Sequence, residues 1–139
     1  MLLPLNSAHI LVTGGAGFMG SAFIRFALKQ EAFAGHLSNL DLLTYAGHLE
    51  NLDSIKGDER YTFFHGDIRD QTLLETIHAE RPITAIVHFA AETHVDRSIT
   101  DPDAFIQTNV VGTYKLLEFV RKNREIHFHH ISTDEVYGA

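Results

Sequence analysis

Ile10-Leu-Val-Thr-Gly-Gly-Ala-Gly-Phe-Met-Gly20 is a short apolar run that breaks into glycines and then into a helical pattern. Ile10 to Val12 reads as a buried strand. From Phe18 to about Gln30, the apolar residues Phe23, Ile24, Phe26, Ala27 and Leu28 suit a helix packed on one side. Gly14, Gly17 and Gly20 join the two. Gly14 permits a tight turn, Gly17 lets backbone N–H groups approach a pyrophosphate, and Gly20 permits close packing of helix on strand. Phosphates would then sit at the positive end of the helix dipole. The first pair is spaced Gly-x-x-Gly instead of Gly-x-Gly. No Gly-Lys-Ser/Thr follows, so a P-loop is excluded.

Further strands alternate with helical patterns. Strands are read around Leu37 to Leu40, at Tyr61 to His65, at Ala85 to Phe89 and at Ile126 to Ile131. A short helix is expected near His48 to Ile55. Asp70 is placed to cap a helix carrying Leu73, Leu74 and Ile77 that ends at Pro82. Pro102, with Asp101 as its cap, opens a long helix to residue 122. Such alternation implies βαβ units, and hence a Rossmann-type, doubly wound parallel α/β sheet. Asp41 falls 21 residues beyond Gly20, at the end of the second strand. A carboxylate there accepts hydrogen bonds from an adenosine ribose. Its charge repels a 2′-phosphate, which favours NAD over NADP.

Composition excludes several alternatives. The 139 residues are 45% hydrophobic and 21% charged, as in an ordinary single globular domain. A net charge of −7 makes the chain a poor nucleic-acid binder. The absence of cysteine removes disulfides, thiolate zinc sites and cysteine nucleophiles. The start lacks a basic region and is interrupted by Pro4, Asn6, Ser7 and His9, unlike a signal peptide. No apolar run is long enough to span a membrane. A cytoplasmic protein without membrane partners is therefore expected. His127 and His129 share a strand face but lack a placed third ligand, so no metal is expected.

Thr13-Gly-Gly-Ala-Gly-Phe-Met-Gly-Ser21 resembles the cofactor loop of extended short-chain dehydrogenases/reductases. Further blocks narrow the resemblance to the nucleotide-sugar dehydratases of that family. They are Leu43-Thr-Tyr-Ala-Gly47 with Asn51-Leu52, Gly66-Asp67-Ile68, His88-Phe-Ala-Ala-Glu-Thr-His-Val-Asp-Arg-Ser98, Asn109-Val-Val-Gly-Thr113 and Ser132-Thr-Asp-Glu-Val-Tyr-Gly138. The resemblance implies an NAD-dependent hydro-lyase acting on a nucleotide-sugar, dTDP-glucose. It implies an NAD site formed by Gly14, Gly17, Phe18, Met19 and Gly20, by Asp41, Leu43 and Thr44, by Asp67 and Ile68, by Ala90 and Ala91, and by Thr108 and Ser132. Glu92, His94, Ser98 and Thr133 would reach the substrate. Among the catalytic residues, Thr133 would bond the sugar, Asp134 would act as general acid and Glu135 as general base.

The chemistry suits those residue types. Oxidation at C4 acidifies the C5 hydrogen, which a carboxylate can remove, and the C6 hydroxyl leaves only if protonated. Two adjacent carboxylates with opposite tasks need pKa values pushed apart by their surroundings. The family's Tyr-x-x-x-Lys pair is absent. Four residues after Tyr45, Tyr61 and Tyr114 stand Leu49, His65 and Glu118, and the chain ends at Ala139, after Tyr137. The expectation is an N-terminal NAD-binding part, lacking the substrate domain and inactive alone. The wide apolar arc of the 102–122 helix would serve dimerisation, as in relatives. Another extended dehydrogenase, such as a nucleotide-sugar epimerase, and a non-catalytic NAD-binding domain remain as alternatives.

Overall fold

Ile10 and Val12 leave β1 (His9–Thr13) on one face and Leu11 on the other, and all are buried. Each strand residue therefore serves one of two cores. The computed structural model describes residues 6–138. β2 (His36–Asp41), β3 (Tyr61–His65), β4 (Ala85–His88) and β5 (His127–His130) join β1 in one parallel sheet, ordered β3-β2-β1-β4-β5. Ile10 lies opposite Leu37 on one side and Ala85 on the other. The chain winds outward through β2 and β3, then returns to β4 and β5 beyond β1. The order reverses between β1 and β4.

α1 (Phe18–Lys29) buries Ile24, Ala27 and Leu28 on one face of the sheet, with Leu52 and Ile55. On the other face, α2 (Gln71–Glu80) contributes Leu74 and Ile77, and α5 (Thr113–Lys122) contributes Leu116 and Phe119. These layers are the doubly wound arrangement expected from the sequence. Asp70 caps α2 by accepting from the Leu73 N–H at 3.0 Å, also as expected. Among the described residues no helix is long and apolar enough to cross a membrane.

The structure departs from the sequence reading in four places. The 48–55 region forms a 3-10 turn at Leu49–Leu52. A short helix not expected from sequence, α3 (Val95–Thr100), follows β4. Asp101 makes no side-chain cap, although Pro102 opens α4 (Pro102–Phe105) as expected. The 102–122 helix is not uniform either. Ile106–Gly112, between α4 and α5, is a π-helical segment. Two constraints accompany that wider turn. The Asn109 amide brackets the Glu92 backbone, and a Cβ at Gly112 would collide with the Ile68 side chain.

Two buried histidines tie the sheet together. His9 Nδ1 bonds the Arg81 carbonyl at 2.8 Å, so that nitrogen donates, and Nε2 accepts from the Ser38 hydroxyl at 2.8 Å. His88 joins Thr13 at 2.6 Å and Thr113 at 3.0 Å. Burial lowers both to a pKa of about 4, with neighbouring positive charge adding to the effect. Unfolded, each would titrate near 6.5. Stability is therefore undiminished above that pH and falls as pH drops toward 4, by about 1.4 kcal/mol per pH unit for each histidine. Thermal melts between pH 7.5 and 4.5 should show this decline, and His88→Gln should make it shallower. An unchanged slope in that variant would contradict the assignment.

Candidate functional site

The glycine loop leaves β1 in a conformation few residues adopt. Gly14 has φ +71°, and a Cβ there would lie 2.7 Å from Ala90 Cα. The close approach brings the loop after β1 against the loop after β4, at the point where strand order reverses. Gly17 is the N-cap of α1, with no side-chain cap and no acidic residue in the first turn. The Ser21 N–H makes the first helical bond, to the Gly17 carbonyl at 3.0 Å. The amides of Phe18, Met19 and Gly20 come too early in the helix for an intrahelical acceptor. They form an uncompensated positive end, suited to an anion.

Asp41 is only 9% exposed. Its Oδ2 accepts from the Ala16 N–H at 2.8 Å and its Oδ1 from the Leu43 N–H at 2.8 Å. Sequence reading gives this carboxylate to a ribose; the structure shows that it also braces two loops. Each oxygen keeps a second lone pair for a ligand. Leu43 sits at φ +56°, the one non-glycine with positive φ among the described residues. Its side chain packs against the α1 core. Leu43 therefore does not line the crevice as expected, and Leu42 lines it instead.

A cavity of about 460 Å³ opens beyond the carboxyl ends of all five strands. Gly14, Gly17, Phe18, Met19 and Gly20 form one wall, with Asp41 and Thr44 beside them. Asp67 and Ile68 follow β3, Ala90, Ala91 and Glu92 follow β4, and Thr108 faces in from the π segment. Ser132 and Thr133 close the side beyond β5. The structure thus brings together nearly all the residues expected to hold a cofactor. Asp67 is already paired with Arg69, Oδ2 to Nη2 at 2.6 Å, which holds its carboxyl below the usual range. Arg69 continues to Gln107 at 3.0 Å, tying the β3 end to the π segment.

The substrate-side residues are more scattered. His94 and Ser98 fall on the N-cap and body of α3, outside the cavity wall. The His94 ring meets Tyr45 at 5.2 Å between centroids, and Arg97 lies 4.0 Å above the same tyrosine. This cluster joins the loop after β2 to α3. Asp134 is exposed and opens the 3-10 turn Asp134–Tyr137. The Glu135 side chain lies outside the described part of the structure. Ala46, Gly47 and Gly66 also line the cavity and were not expected from sequence. The quoted blocks containing them were the available signal. Among the described residues, no three His, Asp or Glu side chains converge as a metal site would require.

Strand order and glycine-walled crevice define an α/β domain of the Rossmann type. The chain belongs to the GDP-mannose 4,6 dehydratase family, whose model matches residues 11–139. It is 51% identical over 138 residues to dTDP-glucose 4,6-dehydratase 1 of Escherichia coli K12, covering 93% of this chain and 38% of that enzyme. A dTDP-glucose 4,6-dehydratase from Streptomyces venezuelae, crystallised with NAD bound, is 48% identical with a TM-score of 0.87, covering 94% of this chain and 41% of that one. A UDP-Glc/GlcNAc 4-epimerase of Campylobacter jejuni is 30% identical with a TM-score of 0.82, over 95% of this chain and 39% of that one. The chain thus spans about two-fifths of the length of the relatives it matches.

Gly14→Ala should destabilise the fold by about 2 kcal/mol or more, combining backbone strain with collision against Ala90. Gly57→Ala, where a Cβ meets nothing within 4 Å, should stay within about 0.5 kcal/mol of the parent. Denaturant unfolding of the two variants checks the difference, and equal effects would contradict the close approach.

Proposed function

We propose that residues 1–139 form the dinucleotide-binding part of an NAD-dependent dTDP-glucose 4,6-dehydratase. The observation that carries this reading is the unpartnered amide end of α1 beside buried Asp41, in a crevice at the strand-order reversal. The residues fit the cofactor. Gly14 and Gly20 admit no side chain, while a Cβ at Gly17 would meet only the Gly14 carbonyl at 3.3 Å, leaving the helix mouth open to a diphosphate. The amides of Phe18, Met19 and Gly20 hold that diphosphate. Asp41 takes the adenosine ribose hydroxyls with its remaining lone pairs and disfavours a 2′-phosphate. Asp67 and Ile68 border the adenine, while Ala90, Ala91, Thr108 and Ser132 border the nicotinamide half.

When bound, NAD would accept hydride from C4 of the sugar and return it to C6 after water is lost. Thr133 donates a hydrogen bond to the sugar, with Glu92, His94 and Ser98 on the substrate side. Glu135 takes the C5 proton, and Asp134 protonates the departing C6 hydroxyl. The Asp-Glu pair favours dehydration over epimerisation, because inversion at C4 expels no hydroxyl. None of Tyr45, Tyr61 or Tyr114 has a lysine four residues on. The 139 residues alone therefore bind cofactor without turning over the sugar. Ile106, Val110, Tyr114 and Leu117 expose an apolar helical stripe, which pairs with a second copy in the whole enzyme.

Calorimetric titration tests this reading. NAD should bind more tightly than NADP, and Asp41→Ala should weaken NAD about tenfold or more. Tighter binding of NADP, or no binding of NAD, would contradict it.

A further inference from the structure

In the glycine loop, Ala16 is held through both of its peptide groups by residues outside the loop. The Ala16 N–H donates to Asp41 Oδ2 at 2.8 Å. The Ala16 carbonyl accepts from the His48 N–H at 3.1 Å and from Asn51 Nδ2 at 3.0 Å. Ala16 is fully buried. Loss of the Asn51 bond would therefore leave a carbonyl short of a partner with little access to water. Asn51 is itself anchored, because its carbonyl accepts from Arg25 Nη1 of α1 at 2.5 Å. Arg25, Asn51 and Ala16 thus link α1, the 3-10 turn after β2 and the loop at the mouth of α1.

This linkage constrains direction as well as position. A peptide unit is planar, so the Ala16 carbonyl and the Gly17 N–H share one plane. Holding the carbonyl fixes the plane that leads into the N-cap. Asp41 fixes the preceding plane in the same way, through the Ala16 N–H. The first free amides of α1 follow immediately, and their aim is inherited from those two planes. Asn51 itself does not line the cavity.

We infer that Asn51, anchored by Arg25, is a positioning residue that aims the α1 amides at the diphosphate of a bound dinucleotide without touching it. The inference rests on the dinucleotide reading of the site. It separates Asn51 from residues that merely stabilise the fold. Loss of aim weakens ligands that carry a diphosphate and spares those that do not.

The experiment uses the full chain and two ligands, NAD and adenosine, with thermal melts in parallel. Asn51→Ala and Asn51→Asp, the latter nearly isosteric but unable to donate, should weaken NAD about five- to thirtyfold. Adenosine binding should change by less than about twofold in the same variants. Arg25→Gln retains the Asn51 amide and should weaken NAD about two- to fivefold. If the parent binds NAD but the variants lose NAD and adenosine equally, or lose neither, the positioning role is overturned while the dinucleotide reading stands. If the parent fails to bind NAD, both are overturned.

Discussion

A single buried carboxylate holds the two loops on which the crevice depends. Asp41 ends β2, and its oxygens accept from the amides of Ala16 and Leu43. One belongs to the glycine loop that enters α1, the other to the turn that leaves β2. Charge-assisted hydrogen bonds to backbone amides are strong and directional, and burial strengthens them further. The carboxylate also holds Leu43 in a left-handed conformation that would otherwise be disfavoured. Loop shape and loop charge are thus set by the same group.

The remaining parts of the site sit around that bracket. The sheet delivers five strand ends to one edge, and the reversal between β1 and β4 leaves room there. Gly14 lets the loop lie against Ala90 without a side chain between them. The far wall is organised separately, by Asn109 bracketing the Glu92 backbone and by the Asp67–Arg69–Gln107 chain. Both tie the π segment to strand ends. The widened turn in Ile106–Gly112 is thus anchored by side chains on each flank.

Much of this was legible in the sequence because it depends on spacing. Gly14, Gly17, Gly20 and Asp41 occur at separations that only a strand-loop-helix-strand path brings together. The alternation of Ile10, Leu11 and Val12 sufficed for a sheet covered on both faces. What escaped depends on conformation or on distant partners. Leu43 lies in the expected segment, yet its positive φ turns the side chain into the core. His94 and Ser98 are expected on the substrate side, and the structure sets them outside the cavity wall on α3, a helix too short for apolar periodicity to reveal. Apolar spacing does not distinguish a π turn from an α turn, so the 102–122 helix read as uniform. The role of Asn51 depends on a carbonyl 35 residues earlier, which no local pattern reveals.

The central claim is that the open end of α1 receives the charged middle of a dinucleotide. Backbone amide NMR of the isotopically labelled chain, titrated with NAD, examines it most directly. The largest shifts should fall on Phe18, Met19 and Gly20, with smaller ones at Asp41 and Ala90. Saturable binding whose shifts leave those three amides unmoved and cluster elsewhere would contradict the account.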